Sequence, residues 1–174
     1  PIHRLVQSDT PLESTLAALD GVFQIEVVPD LKGLLADMGQ RGRVTTALGL
    51  VAAGSPDLYL LTLLDRDAAA DLMPTEAAAW RSLDSAIVQY CILGHALGID
   101  DKAVAAARSV AYTEDAGEAF RETHGGKYRY AILLNPLPPR QMLAVADAGH
   151  RMPQKSTYFY PKLPTGIVLN RLDV

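Results

Sequence analysis

Cysteine is almost missing from this chain: Cys91 stands alone among 174 residues, which excludes an intramolecular disulfide framework. Aromatic residues are sparse as well, at 6%, so a core must be built mainly from aliphatic side chains. The four histidines, His3, His95, His124 and His150, show no paired ligand spacing with one another, the sole Cys91 lies in an apolar helical pattern, and no metal-ligand motif is present. No long uninterrupted apolar run occurs. The most apolar region, 76 to 97, is broken by Arg81, Asp84, Gln89 and His95, short of the roughly 18 apolar residues that a membrane span requires. The first residues are Pro1-Ile2-His3-Arg4 rather than a basic and then apolar leader. With one cysteine, we expect a cytoplasmic chain with no membrane partner. A Gly-x-Ser-x-Gly nucleophile elbow is missing. His124-Gly125-Gly126-Lys127 is not a phosphate loop, because a helical pattern precedes it and a strand pattern comes after; the glycines are expected to stop the helix.

The chain does hold 49% hydrophobic and 21% charged residues, an ordinary globular balance and enough length for one buried core. Its net charge of −4 conceals an asymmetry. Residues 1 to 120 carry 8 Lys and Arg against 17 Asp and Glu, whereas 121 to 174 carry 8 against 3. That distribution fits an anionic partner for the basic portion, and equally two halves that attract one another. Nucleic acid ranks last as a partner, since there is no dense Lys/Arg run, zinc-finger pattern or RNA-recognition signature.

Periodicity and punctuation predict the elements. Thr10-Pro11-Leu12-Glu13 reads as a capped helix start, with a helix over 11 to 20 ended by Gly21. In residues 22 to 28, Phe23, Ile25 and Val27 share one face of a strand and Gln24 and Glu26 the other. Pro29-Asp30 starts a second helix that Gly39 is expected to close. Residues 44 to 53 and 58 to 64 read as a hairpin joined by Gly54-Ser55-Pro56-Asp57.

One long helix is predicted over 76 to 97, with Trp80, Leu83, Ile87, Tyr90, Cys91 and Leu97 on its buried side and Arg81, Ser82, Ser85 and Gln89 as a polar stripe. Arg81 and Asp84, at i and i+3, are expected to pair. Next come a helical turn over 104 to 107, a strand over 110 to 112 and a helix capped by Thr113. A strand over 127 to 134, a helix opened by Pro138-Pro139 and a closing strand over 166 to 172 complete the pattern. The hairpin demands antiparallel pairing, so the expected fold is a single α+β domain: a mixed, mostly antiparallel sheet packed against helices.

The most distinctive stretch is Met152-Pro-Gln-Lys-Ser-Thr-Tyr-Phe-Tyr-Pro-Lys-Leu-Pro-Thr-Gly166. Prolines 153, 161 and 164 restrict it, so Lys155, Ser156, Thr157 and Lys162 are presented in a defined arrangement. A mobile ammonium beside hydroxyl donors suits phosphate or carboxylate oxygens, and Arg151 adds charge. The same run also fits a rigid surface loop with Tyr158, Phe159 and Tyr160 packed inward, or a protein interface formed by those aromatics. Asp84 gains interest only if buried, where a desolvated carboxylate beside Lys155 could act as a base. His3-Arg4 is expected to be solvated, the alternative being that it points at the lysine loop if the first segment lies near the last, and Cys91 is expected to be a buried structural residue.

The run from Arg151 to Gly166 closely resembles the C-terminal signature of the uncharacterised prokaryotic family called domain of unknown function 1015. Weaker likenesses accompany it: Pro1-Ile2-His3-Arg4 resembles that family's mid-chain Pro-Thr-His-Arg, and Leu83-Asp84, Leu97-Gly98-Ile99 and Asn135-Pro136 occur in order. The resemblance implies that these 174 residues are the C-terminal part of a protein about twice as long. Members carry an Asp-Gly-His-His-Arg run in the preceding half, similar to a motif of ParB-like free-serine kinases, and no such run occurs here. The resemblance thus implies a composite site: the preceding half supplies the catalytic residues, and Lys155, Ser156, Thr157, Lys162 and Arg151 clamp an anionic group of a phosphate-bearing small molecule. Phosphoryl transfer suits such a clamp, since that chemistry depends on positioning and charge neutralisation. No cofactor is named by the residues. The rival expectation is a non-catalytic binding or assembly module, with a homo-oligomer as one form.

Overall fold

The computed structural model of the chain describes residues 1–73, 77–100, 109–153 and 155–156. At its centre lies the predicted hairpin, β3 (Ala47–Ala52) and β4 (Leu58–Leu63), paired from Ala47↔Thr62 to Val51↔Leu58. Gly54 takes a positive φ of 77° in the connecting turn, a conformation that costs glycine little. The Ser55 hydroxyl accepts the Asp57 amide at 3.1 Å there. Both strands are near-continuous apolar runs because both of their faces are buried.

Around them stand β1 (His3–Val6), β2 (Phe23–Val28), β5 (Val110–Thr113) and β6 (Tyr130–Leu133), in the order β2-β4-β3-β6-β1-β5. Every described ladder is antiparallel; the single parallel contact is an isolated bridge between Asp20 and Phe23. Helices pack on both faces. One face carries α1 (Leu12–Leu19), α3 (Arg66–Asp71), α4 (Ala78–Arg81), α5 (Asp84–Ile87), a π-helical segment Val88–Ala96 and α7 (Pro139–Asp147). It buries Val6, Leu48, Leu50, Leu61 and Ile132 against Leu19, Ile87, Ile92 and Val145. The opposite face carries α2 (Leu31–Arg41) and α6 (Ala116–His124), where Leu5, Val51, Leu60 and Leu133 meet Leu34, Met38 and Ala119. Each such fully buried aliphatic side chain contributes about 1.5–3 kcal/mol. The α+β class and the predominantly antiparallel sheet packed against helices are therefore as expected.

Several local expectations are corrected. The predicted helix over 76 to 97 is broken: Leu83 adopts an extended conformation between α4 and α5. Ser82 donates to the Ala79 carbonyl at 2.7 Å, a local bond that competes with continued helix. Beyond Ile87 the turns widen into π geometry. Ser85 is buried rather than part of a polar stripe, and Asp84 and Arg81 do not pair. Gly39 does not close α2, which runs to Arg41 and stops at Gly42.

Thr10 does not cap α1, whose N-cap position is Pro11. Asp115, not Thr113, caps α6 by accepting the Gly117 amide at 2.7 Å. In β2, Val27 is 61% exposed while Val28 is buried. The strand lies at the sheet's edge, where Val27 is left uncovered; Val28 packs with α2 on the face opposite Phe23, as alternation requires. The strand least visible in the sequence is β1: residues 3–6 carry no strand signal of their own, yet the strand is buried throughout between β5 and β6. The predicted turn at 104 to 107 and strand at 166 to 172 lie outside the described residues.

Candidate functional site

Strand register brings the site together. Arg4 of β1 lies opposite Ile132 of β6, and Leu133 of β6 lies opposite Gly49 of β3. The start of β1, the end of β6 and the start of β3 therefore meet at one margin of the sheet. Asn135, just past β6, donates from Nδ2 to the carbonyls of Met38 and Ala47, each at 3.0 Å. The break before α5 then sets Asp84 and Ser85 over this margin, where Thr46 donates to Asp84 Oδ1 at 2.8 Å.

Arg4 is not solvated as expected but buried, at 4% exposure. Its Nη1 donates to the Ile2 carbonyl at 2.6 Å, and its guanidinium sits 4.9 Å from the centre of the Tyr112 ring. No carboxylate among the described residues pairs with it. Burial lowers its pKa to about 10, and Tyr112 opposes the shift, so the group keeps its charge at neutral pH. A buried cation without a counter-ion is costly. His3 points to the other face of the sheet and is buried too. Its Nδ1 accepts the Leu134 amide at 3.1 Å, and desolvation foremost lowers its pKa to about 4.

Arg4 opens onto a narrow cavity of about 20 Å³ that it shares with Asp84, Ser85, Asn135, Lys155 and Ser156. Two of the residues singled out in the loop thus border this cavity. Lys155 has φ of 55°, the left-handed region that a residue with a Cβ rarely adopts. Ser156 donates to the Pro153 carbonyl at 2.7 Å and lies 3.1 Å from the Ser85 hydroxyl. The Ser156 hydroxyl thus lies within donating reach of both, with the Pro153 carbonyl the nearer acceptor. On its other side Lys155 borders a shallow depression with Glu114, Asp115 and Glu118, leaving its ammonium between an acidic and a cationic surface.

A second cavity, of about 90 Å³, lies across Asp84 and Asn135, which line both. It collects Arg43, Arg66 and Arg140 with Thr45 and Thr46. The three arginines come from the loop after α2, the first residue of α3 and the first turn of α7, and their side chains are exposed. Burial raises the pKa of Asp84, with the Thr46 hydrogen bond and the charge of Arg66 opposing. The arrangement sets cationic side chains on either side of a carboxylate whose affinity for a proton is raised.

Arg151 lines neither cavity; its backbone carbonyl accepts the Trp80 indole at 3.1 Å. Thr157 and Lys162 lie outside the described residues. Cys91 is buried as expected, and burial pushes its thiol up to about 11. Gly125 and Gly126 do end α6, and Lys127 pairs back to Glu122. Among the described residues no group of three or more His, Cys, Asp or Glu side chains could hold a metal ion, and no helix is long and apolar enough to cross a membrane. Thr46 and the three arginines carry no local sequence signal, since they come from separate segments that only the tertiary fold brings together. Comparison with protein-family models, curated proteins and solved structures finds no match to this chain.

Proposed function

We propose that this chain binds a phosphate-class anion and contributes that binding to a phosphotransfer-type site whose acid, base or nucleophile comes partly from outside these residues. The supporting observation is Arg4: a buried guanidinium without a carboxylate partner among the described residues, opening onto the cavity bordered by Lys155 and Ser156. Asp84 shares that cavity without pairing with Arg4, and an anion beside Arg4 would supply the close counter-charge that Arg4 lacks. The resemblance of residues 151 to 166 to the domain of unknown function 1015 family supports the same reading, and makes the preceding half of a longer protein the natural partner.

Thermal melts of wild type and Lys155→Ala with phosphate, pyrophosphate, ADP and ATP test it. Lys155 is exposed, so its loss should leave the fold intact. A saturable shift in wild type, weakened in the variant, is the expected result; at a hundredfold excess over Kd the stabilisation is about 2.7 kcal/mol. Strong destabilisation by Lys155→Ala with unchanged anion affinity would make the loop structural. A concentration-dependent oligomer without anion affinity would favour the assembly module.

A further inference from the structure

We infer that Arg43, Arg66 and Arg140 form a second anion subsite, so that the site takes a ligand with two anionic groups, one on each side of Asp84 and Asn135. The inference rests on the proposed anion-binding function for its first subsite and adds the class of ligand. Three exposed arginines from three separate segments line one cavity. None of them forms an ion pair with a carboxylate among the described residues. Arginine clusters of this kind recognise phosphate oxygens by paired N–H donors. Thr45 and Thr46 line the same cavity, although the Thr46 hydroxyl is committed to Asp84.

The two cavities are not independent. Asp84 and Asn135 form the wall common to both, and Asn135 is fixed there by its bonds to the Met38 and Ala47 carbonyls. Across the two cavities Asp84 is the one lining carboxylate beside Arg4 and the three arginines, while Lys155 is shared with Glu114, Asp115 and Glu118 of the neighbouring depression. That imbalance fits more than one negative charge. A phosphoanhydride chain has anionic groups linked through a bridging oxygen, and inorganic pyrophosphate and tripolyphosphate are its simplest forms.

Isothermal titration of the whole chain with phosphate, pyrophosphate and tripolyphosphate tests this, using wild type, Lys155→Ala and the triple variant Arg43→Gln/Arg66→Gln/Arg140→Gln. Wild type should bind a linked phosphate chain about tenfold or more tighter than phosphate. The triple variant should lose that advantage while phosphate binding changes by less than roughly threefold, and Lys155→Ala should weaken both. If the triple variant misfolds, Arg66→Gln alone should reduce the advantage partially. Retention of full pyrophosphate and tripolyphosphate affinity in the triple variant, with phosphate binding still sensitive to Lys155, would overturn the second subsite and leave the proposed function standing. Loss of all binding in the triple variant with no effect of Lys155→Ala would overturn both, as would no binding to wild type.

Discussion

Thr46 Oγ1 donates to Asp84 Oδ1 at 2.8 Å, joining the start of β3 to the first residue of α5 across the wall between two cation-lined cavities. The bond favours ionised Asp84, yet desolvation outweighs it and the pKa is raised. A carboxyl whose folded pKa exceeds its unfolded value binds more protons when folded. Stability therefore falls as pH rises from the ordinary carboxylate range through the folded pKa.

Asp84→Asn retains an acceptor for Thr46 and removes the buried charge. It should raise stability at neutral pH, on the order of 1 kcal/mol. The gain should shrink to nothing below the ordinary carboxylate range, where wild-type Asp84 is protonated in both states. Urea titrations of both proteins at several pH values measure this. A variant less stable than wild type at neutral pH would mean that the Thr46 bond outweighs desolvation.

His3 carries the opposite dependence. Its pKa is lowered to about 4 by burial foremost, and its Nδ1 must stay unprotonated to accept the Leu134 amide. Neutral His3 contributes stability that is present above pH 6.5 and lost as pH falls through about 4. His3→Asn offers an oxygen near the Nδ1 position but does not titrate. The stability difference between wild type and this variant should change by about 3 kcal/mol across that window. A difference independent of pH would show that His3 does not resist protonation.

Gly42 should tolerate no side chain. A Cβ there would overlap the Asn135 amide and lie 2.8 Å from the Met38 carbonyl. Gly42→Ala should cost about 1–3 kcal/mol through overpacking. Because the clash is chiefly with Asn135, the cost should be smaller in an Asn135→Ala background, and a double-mutant cycle reads that coupling. Additive costs would mean that the backbone contact with Met38 dominates.

Elements with a dense local signal are legible in the sequence. The β3–β4 hairpin follows from its turn residues and apolar runs, and α7 from its paired prolines. Others are concealed for identifiable reasons. The break at Leu83 is hidden because helical periodicity continues on both sides of it, and only Ser82 hints at competition for backbone acceptors. β1 is masked because His3-Arg4 reads as polar, whereas strand pairing on both sides and a ring over the guanidinium keep both residues buried.

The candidate site divides in the same way. Lys155 and Ser156 are visible from composition, since lysine and hydroxyls between prolines stand out locally. The pairing of Asp84 with Thr46 spans 38 positions, and no spacing rule reaches that far. The three arginines are equally mute in sequence, because their common feature is a shared cavity and not a motif.

By itself the sequence determined the class of fold, since periodicity and turn chemistry are local properties of a chain. It also marked a loop of constrained lysine and hydroxyls, through the stiffness of proline. Only the tertiary structure decided that Arg4 is buried without a described acid partner, that Asp84 is desolvated, and that both face Lys155. Burial and charge proximity depend on which strands become neighbours, and that follows from antiparallel register among segments more than a hundred residues apart.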